Sequence, residues 1–181
     1  MASALMASSP QIDTTPWMRP LPASARLILF GDDAAQSAAA EALALPYSTT
    51  ACRAVTYGAR AALWLGPDER LLLAPQAELA TLLATLTTRL AGHAHSLVDI
   101  SQRQISFELH GPHAGSLLNA QCALDLALES FPVGMCTRTV FAKAEIVLWR
   151  KAADCFHVEV WRSFADYLLT LLREVSHELP S

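Results

Sequence analysis

Two histidine clusters are the first places where this sequence could hold a metal ion. His93 and His95 lie two residues apart, and His110 and His113 lie three apart; imidazole nitrogens at short spacing are common metal ligands. His93 and His95 directly follow a predicted helix, whereas His110 and His113 flank a Gly-Pro turn. No third ligand is evident near His93 and His95, so we expect these to be surface histidines, and we expect no metal at either pair.

Cysteine and aspartate side chains offer other chemistry, and each has a simpler structural interpretation. A nucleophilic Cys136 would need a nearby base, which the local sequence lacks, so we expect Cys136 and Cys122 to be buried. Asp99 and Asp125 could act as general acids or bases, or they could accept hydrogen bonds from backbone N–H groups at turns. The turn interpretation is favoured. The sequence contains no glycine-rich phosphate loop and no Gly-x-Ser-x-Gly motif, so we expect no catalytic residue and no bound cofactor in this chain.

A pair of arginines carries a more specific signal. Arg53 and Arg138 each stand at the start of a predicted strand. Arginine can bind a carboxylate through two parallel hydrogen bonds, and that carboxylate could belong to a small molecule, to this chain or to a partner protein. The alternative is an exposed charge that discourages strand aggregation. We expect Arg138 to pair with a carboxylate and treat both arginines as candidate interface residues.

The first half of the chain contains the elements that would position Arg53. Apolar runs separated by Gly and Pro predict strands, and leucines spaced three and four residues apart predict an amphipathic helix. The predicted order is a strand at 26–30, a helix at 34–45, strands at 53–57, 60–65 and 70–73, and a helix at 76–90.

The second half contains a similar series around Arg138, preceded by one extra strand. The extra strand is predicted at 96–100, and the strand at 103–109 alternates apolar and polar residues. A helix through Leu117 and Leu118 follows, then strands at 137–141, 145–149 and 155–161. Ser163 is placed to cap a last helix.

These two series suggest an internal repeat. Residues 53–86 align without a gap on residues 138–171, and nine positions are identical, including Trp64 with Trp149. We interpret the match as a duplication, with coincidence of composition as the alternative. The predicted fold class is therefore α+β: a single domain over residues 25–181, with related halves at about 25–92 and 96–177. Halves of this size would bury too little surface to be stable alone.

The first 24 residues differ in composition from the rest. Four prolines, at positions 10, 16, 20 and 22, exclude a long helix or a central strand. We predict an extended arm over residues 1–24. Its apolar Trp17 either folds back on this chain or lies on a partner subunit, and we treat Trp17 as a third candidate interface residue.

Composition excludes several classes of protein. The chain has 181 residues, is 52% hydrophobic and carries a net charge of −4, which argues against nucleic-acid binding because phosphate affinity needs a basic patch. No apolar run reaches the ~20 residues that span a bilayer, and we see no signal peptide. Four scattered cysteines without a Cys-x-x-Cys pair fit reduced thiols, so we expect a cytoplasmic protein.

Several segments together resemble one known family. LGPDERLLL at 65–73, LVDIS at 97–101, LHGP at 109–112, CALDLALESFPVGMCTRT at 122–139 and VEVWRSF at 158–164 are similar, in order and spacing, to the sarcosine oxidase gamma subunit family. The resemblance covers roughly residues 25–175. It implies a fold like the folate-binding domain of the glycine-cleavage aminomethyltransferase, which is itself duplicated.

The resemblance also implies partners and a reaction. Family members belong to heterotetrameric sarcosine oxidase, which converts sarcosine to glycine, makes hydrogen peroxide and passes the one-carbon unit to tetrahydrofolate. It implies partners in the alpha, beta and delta subunits, with FAD, FMN and NAD in the large subunits and zinc in the smallest.

Two functions follow as expectations. The first is a non-catalytic structural subunit of this oxidase. The alternative is a stand-alone folate-binding or folate-dependent one-carbon transfer protein. This sequence lacks a Gly-Tyr-Thr-Gly-Glu-like segment, the part associated with folate in aminomethyltransferases, so fold similarity alone does not predict folate binding.

Overall fold

Two antiparallel five-stranded sheets form the framework of the molecule. The computed structural model describes residues 13–178. The first sheet has the order β3-β4-β5-β2-β6, and its strands are β2 (Ser24–Gly31), β3 (Ala54–Tyr57), β4 (Arg60–Gly66), β5 (Glu69–Pro75) and β6 (His95–Asp99). The second has the order β1-β7-β10-β9-β8, and its strands are β1 (Met18–Pro20), β7 (Gln104–His110), β8 (Cys136–Phe141), β9 (Ala144–Ala152) and β10 (Cys155–Trp161).

Four helices cover the outer faces of the sheets: α1 (Asp33–Ala42), α2 (Leu79–Leu90), α3 (Ala114–Asn119) and α4 (Ala165–Glu178). Asp32 caps α1 by accepting a hydrogen bond from the Ala35 N–H at 2.9 Å, as expected of an acidic residue at a helix start. Short 3-10 turns precede α2 and α4, so both helices begin slightly later than the sequence predicts. None of the described helices is long and apolar enough to cross a membrane.

Three apolar clusters hold the layers together. One lies between the first sheet and α1 with α2, and a second lies between the second sheet and α3 with α4. The third lies between the two sheets and includes the buried residues Leu63, Leu71, Cys136 and Val147. The layer order is therefore helices, sheet, sheet, helices. The predicted α+β class is confirmed.

The two sheets also touch through backbone hydrogen bonds near their β3 and β8 edges. Arg53 and Met135 form an isolated β-bridge. Beside it, the Ala54 N–H donates to the Gly134 carbonyl at 2.9 Å, and the Cys136 N–H donates to the Cys52 carbonyl at 2.9 Å. Contacts of this kind fix how one sheet lies against the other.

The two halves show the same element order, with exceptions at their borders. In each sheet the last strand of a three-stranded meander pairs with a strand from earlier in the chain. The order is β3-β4-β5-β2 in the first sheet and β8-β9-β10-β7 in the second. β6, which we expected to open the second half, instead pairs with β2 in the first sheet. Conversely, β1 from the predicted arm pairs with β7 in the second sheet. The shared strand order is compatible with a duplication, which stays a hypothesis.

Candidate functional site

Arg138 on β8 binds a carboxylate from the other sheet. Its Nη1 and Nη2 atoms lie 3.0 Å and 2.5 Å from the two carboxylate oxygens of Glu69, at the start of β5. The Arg138 side chain is 37% exposed and the Glu69 side chain only 10%, so the Glu69 carboxylate is buried beneath the Arg138 guanidinium. The hydrogen bonds and charge of Glu69 raise the pKa of Arg138. The predicted pairing with a carboxylate is confirmed within the chain.

The Arg138–Glu69 pair lies in a groove of about 360 Å³, which we call the Arg138 groove. Phe30 on β2 and Val98 on β6 line it and are 42% and 47% exposed. Trp161 and Arg103 form another wall, with the guanidinium carbon 3.7 Å from the ring centroid. The groove thus combines exposed apolar side chains with a fixed ion pair, which is the composition of many protein interfaces.

Arg53 has a different environment from Arg138. Its Nη1 donates to the Val133 carbonyl at 3.3 Å, and no ion pair with an acidic residue is found for it among the described residues. Both arginines reach from their own half to the other half. Arg138 does so through an ion pair, and Arg53 through a hydrogen bond to a carbonyl oxygen.

Trp17 is partly buried against the apolar cluster of its own chain. The adjacent Met18 is fully buried, and β1 pairs with β7 from Met18 to Pro20. Residues 13–24 therefore fold back on their own chain, which is the first of the two alternatives for the arm. Residues 1–12 lie outside the described part, and an interface role for Trp17 stays a prediction.

The structure gives the aspartates and cysteines structural roles. Asp99 accepts hydrogen bonds from the N–H and hydroxyl of Ser101 at 2.9 and 2.5 Å. Asp125 accepts from the Ser130 hydroxyl and the Ala127 N–H, which lower its pKa. Cys136 is buried, and burial raises its pKa to about 12, so it carries no thiolate at neutral pH. The expectations for turns and for burial of Cys136 are confirmed.

The histidine pairs do not form clusters. His93, His95 and His113 are at least partly exposed, and His95 Nδ1 lies 2.9 Å from the His93 carbonyl oxygen. The Nδ1 atom of His110 is buried without a hydrogen-bond partner. Within residues 13–178, no group of three or more His, Cys, Asp and Glu side chains is placed to hold a metal ion.

A buried polar network between the sheets was not predicted. Arg26 on β2 lies 2.6 Å from Glu159 on β10, with side chains 2% and 0% exposed. Arg26 also donates to the Ser106 hydroxyl at 2.6 Å, and His157 Nε2 lies 2.8 Å from the second oxygen of Glu159. A buried ion pair needs such extra hydrogen bonds to offset the loss of hydration. This network, which we call the Arg26–Glu159 network, fixes the sheets together and orients the His157 ring.

Glu108 forms a second buried charge cluster on the same face of the second sheet. Its side chain is 1% exposed and accepts from Lys151 Nζ at 2.5 Å and from Arg19 Nε at 2.7 Å. Burial alone would raise the pKa of Glu108, but the hydrogen bonds and charges of Lys151 and Arg19 outweigh burial and lower it. Glu108 is therefore ionised at neutral pH.

One sequence signal could have revealed both clusters. Ser106 and Glu108 on β7, like His157 and Glu159 on β10, alternate with apolar residues. Such alternation normally marks a solvent-facing side, yet all four residues are buried. Polar residues at matching positions on neighbouring strands were the clue that a second sheet covers this face.

Residues 30–178 match the model of the sarcosine oxidase gamma subunit family. Curated relatives include the sarcosine oxidase gamma subunits of Corynebacterium sp. strain P-1, 32% identical over 121 residues, and of an Arthrobacter species, 31% identical over 121 residues. Each alignment covers 67% of this chain and 59% of the relative, so the matched region spans about three fifths of these relatives.

Solved structures show the same fold. A chain of heterotetrameric sarcosine oxidase from Corynebacterium sp. U-96, in complex with pyrrole 2-carboxylate, superposes with a TM-score of 0.82 at 26% identity, covering 89% of this chain and 83% of that one. The glycine cleavage system aminomethyltransferase T from Bartonella henselae superposes with a TM-score of 0.64 at 16% identity, covering 86% of this chain and 44% of that one. The second likeness concerns the fold alone and confirms the expected fold relation.

Proposed function

This chain belongs to the sarcosine oxidase gamma subunit family, and from that membership we propose that it is a non-catalytic structural subunit of a heterotetrameric sarcosine oxidase. The observation that carries the proposal is the likeness, over 89% of this chain, to one chain of such an oxidase. The proposed complex oxidises sarcosine to glycine, produces hydrogen peroxide and transfers the one-carbon unit to tetrahydrofolate.

The chemistry of the described residues supports a structural role. The buried carboxylates of Glu69, Glu108 and Glu159 are each held by arginine, lysine or histidine. The thiol of Cys136 is protonated because of its raised pKa. These groups therefore stabilise the fold, and we propose that flavins and NAD are held by the alpha and beta subunits and zinc by the delta subunit.

The Arg138 groove is the surface through which we propose that this chain docks to a large subunit. Phe30 and Val98 expose apolar area there, and the Arg138–Glu69 pair supplies polar groups at a fixed position. A surface that combines an apolar centre with an ordered ion pair fits a permanent partner better than a freely soluble monomer.

Co-expression tests this function. The full chain carrying an affinity tag would be produced together with the alpha, beta and delta subunits of the same organism and purified through the tag. We expect all four chains to elute together with a flavin absorbance band. The chain purified alone should be colourless and free of stoichiometric zinc.

Three results would contradict the proposal. The first is elution of the tagged chain alone while the other three subunits assemble and oxidise sarcosine at the full rate. The second is a flavin band or stoichiometric zinc in the isolated chain. The third is saturable binding of tetrahydrofolate by the isolated chain, which would support the alternative of a folate protein.

A further inference from the structure

A cavity of about 710 Å³ lies between the two sheets, away from the Arg138 groove. Its volume falls within the roughly 300–1,000 Å³ typical of small-molecule sites. Its walls come from the linker between β1 and β2, the turn between β3 and β4, the end of β5, and the inner face of β9 and β10. The apolar wall residues include Leu21, Pro22, Ala59, Leu73 and Ala74.

The charges around this cavity favour an anion. Among its described lining residues there are cationic and neutral side chains but no acidic ones. Lys151 lines the cavity and shares the single Glu108 carboxylate with Arg19, so two positive charges face one negative charge. Lys151 is 38% exposed, and its ammonium group has three N–H donors. It can therefore bind a second carboxylate without leaving Glu108.

Aromatic rings form the floor of the cavity beside Lys151. The ring centroids of Trp149 and His157 are 5.7 Å apart with an interplanar angle of 47°. The Lys151 ammonium lies 5.5 Å from the centre of the Trp149 ring. Flat apolar surfaces of this kind favour an aromatic ligand, because ring contacts add to the area that is buried.

His157 supplies the directional contact. Its Nε2 faces Glu159, whose charge is matched by Arg26, so the network holds the ring in one orientation. Nδ1 has no hydrogen-bond partner among the described residues. In the tautomer whose Nε2–H donates to Glu159, Nδ1 is an acceptor, and it can take a hydroxyl or N–H donor on the ligand.

We propose that this cavity binds a small aromatic carboxylate that also carries a hydroxyl or N–H donor. Lys151 binds the carboxylate, Trp149 packs against the ring, and His157 Nδ1 accepts the hydrogen bond. The proposal does not depend on the proposed function of the chain, because it uses only the lining residues and their charges.

Calorimetric titration of the full chain with 4-hydroxybenzoate tests the site. Two matched probes separate the contacts: 4-hydroxybenzamide lacks the charge, and benzoate lacks the hydroxyl. We expect saturable binding of 4-hydroxybenzoate, with each matched probe about tenfold weaker, as one lost charged or directional contact predicts. Equal binding of all three probes, or no saturation at millimolar concentration, would overturn the proposal.

Substitution of the two lysines provides the protein control. Lys151→Gln should weaken the binding of 4-hydroxybenzoate about tenfold and leave the binding of 4-hydroxybenzamide unchanged, since only the first probe carries the charge. Lys143→Gln, in the exposed turn between β8 and β9, should leave both unchanged. Equal loss of 4-hydroxybenzoate binding in the two variants would show non-specific attraction and would overturn the proposal.

The copurified complex should show the same order of affinities for the three probes. Loss of binding in the complex would mean that a partner subunit fills the cavity, and would overturn the proposal.

Discussion

At the scale of single residues, Arg138 and Arg53 give a matched pair of tests for the docking surface. Arg138→Ala removes the partner of the nearly buried Glu69 carboxylate. The cost should lie between the ~1 kcal/mol of an exposed pair and the ~3 kcal/mol of a buried one. We expect a lower yield of the assembled complex, with normal turnover in the complexes that form. Quantitative gel filtration and a peroxide assay measure the two effects.

Arg53→Ala is the control, because it removes only a 3.3 Å hydrogen bond to a carbonyl oxygen. Its effect on complex yield should be clearly smaller. Normal assembly of Arg138→Ala with reduced turnover would instead place Arg138 in the chemistry, and the structural role of this chain would then be wrong.

Glu108 predicts how stability depends on pH. Its folded pKa is lowered from 4.5, so its contribution to stability is present above the unfolded value and is lost as the pH falls through the folded pKa. Glu108→Gln should therefore unfold at a lower temperature than the natural chain at pH 7. The two melting temperatures should approach each other as the pH falls from 4.5 through the lowered folded pKa, below which Glu108 is protonated in both the folded and the unfolded chain. A constant difference across this range would contradict the assignment.

Residue pairings were predictable where a local rule applied. The turn-binding roles of Asp99 and Asp125 follow from the short polar segments around them, and the pairing of Arg138 follows from its side-chain geometry. Glu69 as its partner was not predictable, because the two residues meet only when one sheet packs on the other. The same holds for Arg26 and Glu159, which lie 133 residues apart in sequence.

At the scale of elements, β1 is the part of the predicted arm that the structure assigns to the core. Met18 is fully buried in the cluster beneath the second sheet. Met18→Ala should cost about 2–5 kcal/mol of stability, since it leaves a cavity. Arg19→Lys, one residue on and largely exposed, keeps a positive charge beside Glu108 and should cost much less. Urea denaturation of both variants distinguishes them, and an equally small loss for Met18→Ala would show that β1 is not part of the folded core.

Strand identity was easier to predict than strand partners. Every strand predicted from alternation and turn residues is present with small shifts at its ends. The sheet that the 96–100 strand joins was not predictable, because closeness in sequence does not determine strand pairing. β6 pairs with β2 after the chain has passed through five other elements. A β1 strand inside a proline-rich segment was also missed; it is short and lies at a sheet edge, where proline is tolerated.

At the scale of the whole molecule, the Arg26–Glu159 network joins the two sheets through buried charge. Arg26→Met alone leaves Glu159 buried without a counter-charge and should cost about 3–5 kcal/mol. Adding Glu159→Gln removes that charge and keeps an oxygen for His157, so the double variant should recover most of the loss. Urea unfolding followed by circular dichroism measures both. A double variant as unstable as the sum of its single changes would contradict the pairing.

The pairing of β1 with β7 also has a consequence for synthesis on the ribosome. Arg19 and Glu108 are 89 residues apart, and translation at about 5–20 residues per second places several seconds between them. During that interval the first sheet can begin to form while β1 has no strand to join. β1 is thus among the last of the described strands to pair, and a message truncated before β7 would yield products whose Met18 side chain lies open to aggregation or to chaperones.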